Sequence, residues 1–213
     1  MDKKSNLSFS HSNSPVYENV HLVCWDFDKT ILSCHSHGAK YFYTPEHRAQ
    51  VVQKLSQQLS PAWVNQYVYL RKKNIPQAIV TFADSYDNRK PGILSGEALV
   101  RAVIRPWLGD FSDDLLVWGL NPCMRNKRNS VASTSNSIYY PVDKSWHLNR
   151  AMEMYCLEGH PEQVMLVDDS LNNVVAALAN GHPVWHVQGE SGFQGSFKIR
   201  FQDGSTKLPS KSD

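Results

Sequence analysis

Five short apolar runs alternate with segments of helical spacing along this chain. The runs are VHLVCWDFD (20–28), Ala78-Ile79-Val80 closing on Thr81, 115–120, 164–167 and 182–187. Between them, residues 45–73 read as two helices broken near Ser60-Pro61, because proline suits the first turn of a helix. Further helices are predicted over 95–107, with Ser95 as cap, and over 143–157. A last one spans 171–180 and is stopped by Gly181. The stripe Trp63, Tyr67, Leu70 has helical spacing and reads as core. This alternation predicts an α/β fold: a doubly wound, Rossmann-like parallel sheet of about five strands with helices on both faces.

In such a sheet, ligands bind at the carboxyl ends of the strands. Three predicted strands end in polar residues: Asp26 and Asp28 on the first, Thr81 on the second, and Asp168 with Asp169 on the fourth. Asp26 and Asp28 are two apart, so a strand projects both to one face. Two carboxylates there repel each other and resist burial, which a metal ion, hydrogen bonds or water must offset. Locally the pair fits equally a strand leaving the core with Asp capping the next helix. Three polar strand ends on one edge favour a site. Several carboxylates with a hydroxyl and a lysine suit Mg²⁺ and a phosphoryl group. One Asp can then attack phosphorus, and a second can pass a proton to the leaving oxygen.

This arrangement resembles the haloacid dehalogenase (HAD) superfamily of aspartyl-phosphate hydrolases over about residues 20–188. The matching motifs are Asp26-Phe27-Asp28-Lys29-Thr30, Thr81 in AIVTFAD, Lys144 in VDKSWHL, and the acid pair of VMLVDDSLNN. The resemblance implies Asp26 as nucleophile and Asp28 as general acid/base, with Thr81 and Lys144 holding the phosphoryl group. It implies Mg²⁺ bound by Asp26, the backbone carbonyl of Asp28, and Asp168, with Asp169 as ligand or close support. Asn172 and Asn173 either support that shell or are the polar start of a helix. The acid at position 28 suits phosphate-ester hydrolysis; phosphomutases share it. Lys144 lacks the proline that often follows this lysine in the family, so Arg125, Lys127, Arg128 and Arg150 are rival anchors.

Neither the stretch from Asp28 to Thr81 nor that from Thr81 to Lys144 has room for a large cap domain beyond the core's own elements. Capless relatives act on proteins, phosphotyrosine included, and on nucleic-acid ends. A phosphorylated protein or peptide is therefore the expected partner, phosphotyrosine first. The chain as a whole also resembles HAD-type tyrosine phosphatases that some intracellular bacteria deliver into host cells, though no single motif carries that likeness.

Composition narrows the partners. The net charge of +2 gives no electrostatic case for nucleic acid or an anionic membrane. No apolar run approaches a membrane span. RNKRN at 125–129 is the one basic cluster, a solvated loop or a dock for an acidic or phosphorylated peptide. Four irregularly spaced cysteines fit a reducing compartment, hence a cytoplasmic protein, or host cytosol for a translocated effector. A monomer is expected. Cys34, His35 and His37 lack a closed four-ligand zinc pattern, so SCHSHGAKYFY (33–43) reads as a loop or small hairpin beside the site.

The expected domain layout is a flexible arm over 1–19, a core over 20–188 and a polar extension over 189–213. That extension holds one edge strand at 197–201 before disorder. Two rivals remain. A receiver domain places its acid pair first and its lysine near the end, against the order here. An inactive binding module would lack the first two acids, and both are present.

Overall fold

The computed structural model describes residues 14–37, 39–84, 92–120 and 142–201. Its elements in chain order are β1 (Val16–Glu18), β2 (Leu22–Trp25), β3 (Ala39–Tyr41), α1 (Pro45–Ser56), α2 (Pro61–Lys72), β4 (Gln77–Asp84), β5 (Ile93–Ser95) and α3 (Gly96–Leu108). They continue with β6 (Leu116–Leu120), α4 (Ser145–Met154), β7 (Val164–Asp168), α5 (Leu171–Ala179), β8 (Val184–His186) and β9 (Lys198–Arg200). The predicted loop at 121–137, with RNKRN and three of the rival anchors, lies outside the described residues. So do the first thirteen residues and the tail from 202.

Five parallel strands form the central sheet in the order β6-β4-β2-β7-β8. The chain winds outward from β2 through β4 to β6, then returns to β7 and β8 on the other side. The sheet is the doubly wound α/β fold expected from the sequence. Its order reverses at β2 and β7, where such sheets leave a crevice beyond the strand ends.

Period-two alternation sorts the strands between two cores. Val23, Trp25, Ile79, Val117, Met165 and Val167 join one cluster with residues of α1, α2 and α3. Leu22, Cys24, Ala78, Val80, Val164 and Leu166 join a second with Leu148 and Ala151 of α4 and Ala177 of α5. Every residue of β2 and β7 is buried, as strands covered on both faces require.

Local signals set the helix starts. The Thr44 hydroxyl accepts the His47 N–H and the Ser60 hydroxyl accepts the Trp63 N–H at 3.1 Å, each cap followed by proline. Trp63, Tyr67 and Leu70 are buried as predicted. Ser95 precedes α3 but its hydroxyl does not cap the helix. The 33–43 segment does not fold on itself: β3 pairs antiparallel with β5.

The chain ends depart from the expected layout. Val16–Glu18, placed in the flexible arm, is a strand parallel to Lys198–Arg200. That second strand, expected as one edge strand over 197–201, forms with it a separate two-stranded sheet. The extension after 188 also carries core. Phe193 and Phe197 are buried against Trp25, with ring centroids at 5.2 and 5.9 Å. The Gln66 side-chain amide donates to the Phe197 carbonyl and its oxygen accepts the Phe197 N–H. Each buried phenyl ring offsets about 1.5–3 kcal/mol of ordering cost, enough to hold a polar segment in place.

Candidate active site

β2 ends at Trp25, and the Asp26 N–H donates to Val167 O of β7 at 2.8 Å. Beyond Asp26 the chain makes one wide turn over Phe27–Ile31, closed by the Leu32 N–H on Phe27 O. Within it Asp28 is extended and Lys29 takes the left-handed region at φ 56°. This turn keeps both acids at the strand end instead of running into a helix, so the capping explanation does not apply to them.

Three hydrogen bonds hold the turn and its exit. The Ser60 N–H donates to Ile31 O, the Ser33 N–H to Gln58 O, and the Phe193 N–H to Thr30 O at 2.7 Å. Gly192 lies so close that a Cβ there would meet the Thr30 and Leu32 carbonyl oxygens at 3.0 Å, and its φ of +68° also favours glycine. The Ser60 hydroxyl donates to Phe193 O. The segment after β8 is thus a strap across the turn that carries the acids.

Asp26 is nearly buried. Lys144, at the entrance to α4 and itself 1% exposed, places its ammonium 2.8 Å from Asp26 Oδ1. The same Nζ donates to Val80 O at 2.8 Å, and two of its three protons are thereby used. Burial pushes the Asp26 carboxyl up to about 8, and the Asp168 carboxylate adds to this while the Lys144 charge pulls against it. Asp168 is fully buried, and burial raises it too. The Ser170 N–H donates to its Oδ1 at 2.8 Å, and the Asn173 amide donates to both its oxygens at 3.0 Å.

Asp26, Asp168 and Asp169 bring carboxylate oxygens within 4.8 Å of one another. Such a set needs more positive charge than one ammonium supplies, and its all-oxygen donors suit a hard divalent cation. The Asp28 carboxylate is not in the trio. Its Oδ1 accepts the Ser36 N–H at 2.8 Å, and His35 Nδ1 lies 3.9 Å from its Oδ2. Among the described residues, the trio is the one group of histidine, cysteine and acidic side chains that converges so closely. Cys34, His35 and His37 do not form a comparable cluster.

An open cleft of about 370 Å³ lies over these groups, lined by Asp26, Asp28, Thr81, Asp168 and Asp169, with Asn173 behind. Thr81 is buried at the irregular register between β4 and β6, its Oγ1 accepting the Ala83 N–H. All six residues named from the sequence are therefore gathered at one end of the sheet. Arg150 is not: it pairs with Glu153 and lies over Trp118.

Sequence reasoning left open the role of Asn173 and missed Phe82 and His147. Asn173 is buried on Asp168, whereas Asn172 is exposed. Phe82 lines the cleft with the Lys144 ammonium 4.1 Å from its ring centroid. His147, one helical turn after Lys144, is fully buried beneath Phe82 and beside the Thr81 backbone. Burial first, then the Lys144 charge, lowers its pKa to about 3. The signal for His147 was its i+3 spacing from Lys144.

No protein-family model matches the chain, and no curated protein matches it. Among the solved structures similar to it is CbbY from Rhodobacter sphaeroides in complex with phosphate. It is 16% identical over 89% of this chain and 96% of that one, with a TM-score of 0.43. The HAD domain of effector protein Lem4 from Legionella pneumophila is 12% identical over 84% and 90% of the two chains, with a TM-score of 0.40. A hydrolase from Pseudomonas syringae is 12% identical over 86% and 92%, with a TM-score of 0.41.

Proposed function

We propose that this chain is a HAD-type phosphatase: a Mg²⁺-dependent phosphomonoester hydrolase that works through an aspartyl phosphate on Asp26. The carrying observation is the Asp26 carboxylate, fixed at the switch point of the sheet by Lys144 and set beside Asp168 and Asp169. Those three carboxylates would hold Mg²⁺, whose charge offsets theirs and attracts the phosphoryl group.

Asp26 attacks phosphorus, and the bond from phosphorus to the ester oxygen breaks. Asp28, steadied by the Ser36 N–H, gives its proton to the departing oxygen. Asp28 then takes a proton from a water molecule that attacks the phosphorus of the aspartyl phosphate. Inorganic phosphate leaves and the Asp26 carboxylate is restored. The Lys144 ammonium and the Thr81 hydroxyl suit the equatorial phosphoryl oxygens.

Phosphorylated proteins are the substrate class this reading favours, phosphotyrosine first. The chain between Asp28 and Thr81 is spent on β3, α1 and α2, and the cleft is open enough for a side chain carried on a peptide. The protein would act as a cytoplasmic monomer. No helix among the described residues is long and apolar enough to cross a membrane.

The test is hydrolysis of an aryl phosphate with Mg²⁺ and with EDTA, followed by phosphotyrosine, phosphoserine and phosphothreonine peptides. Turnover that needs the metal and is fastest on phosphotyrosine supports the proposal. Turnover confined to phosphorylated polynucleotide ends or to small metabolites would reassign the substrate. Absence of turnover on every class would leave a phosphate-binding module.

A further inference from the structure

Phe82 is out of place in its surroundings. Among the described residues the cleft is lined mainly by carboxylates, hydroxyls and imidazoles, and Phe82 is the one large apolar side chain there. It is 36% exposed, although Thr81 and Ala83 on either side of it are buried. A phenyl ring that stands partly wet among acids offers apolar area for a ligand to cover.

The ring is also held in place. The Lys144 ammonium lies over one face, 4.1 Å from the centroid. His147 meets it edge-on at 5.4 Å and 83°. A ring clamped by a buried cation and a buried imidazole loses little freedom when something stacks on it. The Lys144 that clamps it is the same group that holds Asp26, so the ring stands beside the attacking carboxylate.

We infer that Phe82 is the specificity-determining residue of the cleft, a platform for the aromatic ring of an aryl phosphate such as phosphotyrosine. The inference rests on the hydrolase reading and sharpens its substrate class. A phosphoryl group held at Thr81 and Lys144 keeps the ester's organic group within reach of the next residue, Phe82. A phosphotyrosine ring covers the phenyl face; the single methylene of phosphoserine leaves it wet. The cation over the ring draws π density from Phe82. The exposed part of the ring therefore favours an electron-rich partner, and a tyrosyl oxygen gaining negative charge makes its ring more so as the ester bond breaks. The contact strengthens towards the transition state, so it acts on kcat as well as on binding.

The experiment compares wild type, Phe82→Leu and Phe82→Trp on two matched pairs: phenyl phosphate with propyl phosphate, and phosphotyrosine with phosphoserine peptides. Phe82→Leu should lower kcat/KM for the aryl member of each pair by about five- to tenfold, a typical aromatic-pair contribution. The alkyl member should change by less than about twofold, and Phe82→Trp should keep the aryl preference. Equal losses on aryl and alkyl esters in Phe82→Leu, or no loss on either, would overturn the inference and leave the hydrolase reading intact. A wild type that turns over none of the four would overturn the inference, and failure on polynucleotide ends and small metabolites as well would overturn the hydrolase reading.

Discussion

The ammonium of Lys144 sits 2.8 Å from Asp26 Oδ1, with both groups withdrawn from solvent at the switch point of the sheet. Burial alone would keep the Asp26 carboxyl protonated near neutrality, and Lys144 is the charge opposing it. Lys144→Met should therefore lower kcat/KM by about 10²-fold or more. Its residual activity should climb more steeply with rising pH than that of wild type, because ionising Asp26 then depends on solvent pH alone. A pH–rate profile of both proteins reads this directly, and parallel profiles would remove Lys144 from the ionisation of Asp26.

Asp28 lies on the same turn but outside the carboxylate trio, held by the Ser36 N–H. Its assigned work is proton transfer to the leaving oxygen. Asp28→Asn should cost about 10²–10⁴-fold on an alkyl phosphate, whose leaving oxygen needs the proton. The loss should be smaller on a nitrophenyl phosphate, whose leaving group departs as the anion. Steady-state rates on both esters decide the matter; equal losses would mean that Asp28 does something else.

Asn173 donates to both oxygens of the buried Asp168. Removing that clamp frees the carboxylate to rotate away from its partners. Asn173→Ala should raise the Mg²⁺ concentration for half-maximal activity by about 10- to 100-fold, while kcat at saturating Mg²⁺ falls less. Metal titrations of activity provide the measurement.

His147 is kept neutral inside the protein, its pKa lowered by burial from 6.5 to about 3. The unfolded chain takes up that proton near pH 6.5 and the folded chain does not, so between these values the unfolded state binds more protons. The stability from His147 is fully present above about pH 7 and is lost as pH falls, by at most about 1.4 kcal/mol per pH unit. His147→Met should be less sensitive to acid than wild type, the difference in urea stability between the two narrowing or reversing between pH 7.5 and pH 5. A constant difference would place the imidazole in contact with a proton acceptor.

Gly192 rests on the Thr30 and Leu32 carbonyls with φ +68°. Gly192→Val should destabilise the protein by about 1–3 kcal/mol, combining overpacking with backbone strain. It should also reduce activity measured well below the melting temperature, because the displaced strap no longer supports the turn bearing Asp26 and Asp28. Urea denaturation and activity at a low temperature separate the two effects.

The sheet and the acids were legible because their signals are local. A strand buried on both faces reads as a continuous apolar run, and Asp26, Asp28, Asp168 and Asp169 interrupt such runs where a sheet of this type binds ligands. Lys144 was legible as a cation at a helix start. The β1–β9 pairing was not: an edge strand was read at 197–201, but the three residues of β1 carry no periodicity of their own. Phe193 and Phe197 sit among serines, glycines and glutamines, where composition points to solvent. Only the tertiary contact with Trp25 explains them. Phe82 follows Thr81 on a strand whose register slips at that point, so alternation could not say which way it faced.

The strap has a consequence for how the molecule is made. Asp26 and Asp28 leave the ribosome well before Phe193, yet the carbonyl of Thr30 between them and α1 waits for the N–H of Phe193. Asp26 likewise waits for Lys144 and Asp168. A nascent chain therefore carries its reactive carboxylates long before it has the frame that aims them. Such long-range closure is slow to form. The protein should become competent only once residue 193 has been made, and a chain that stops short of it carries the acids without the support of their turn.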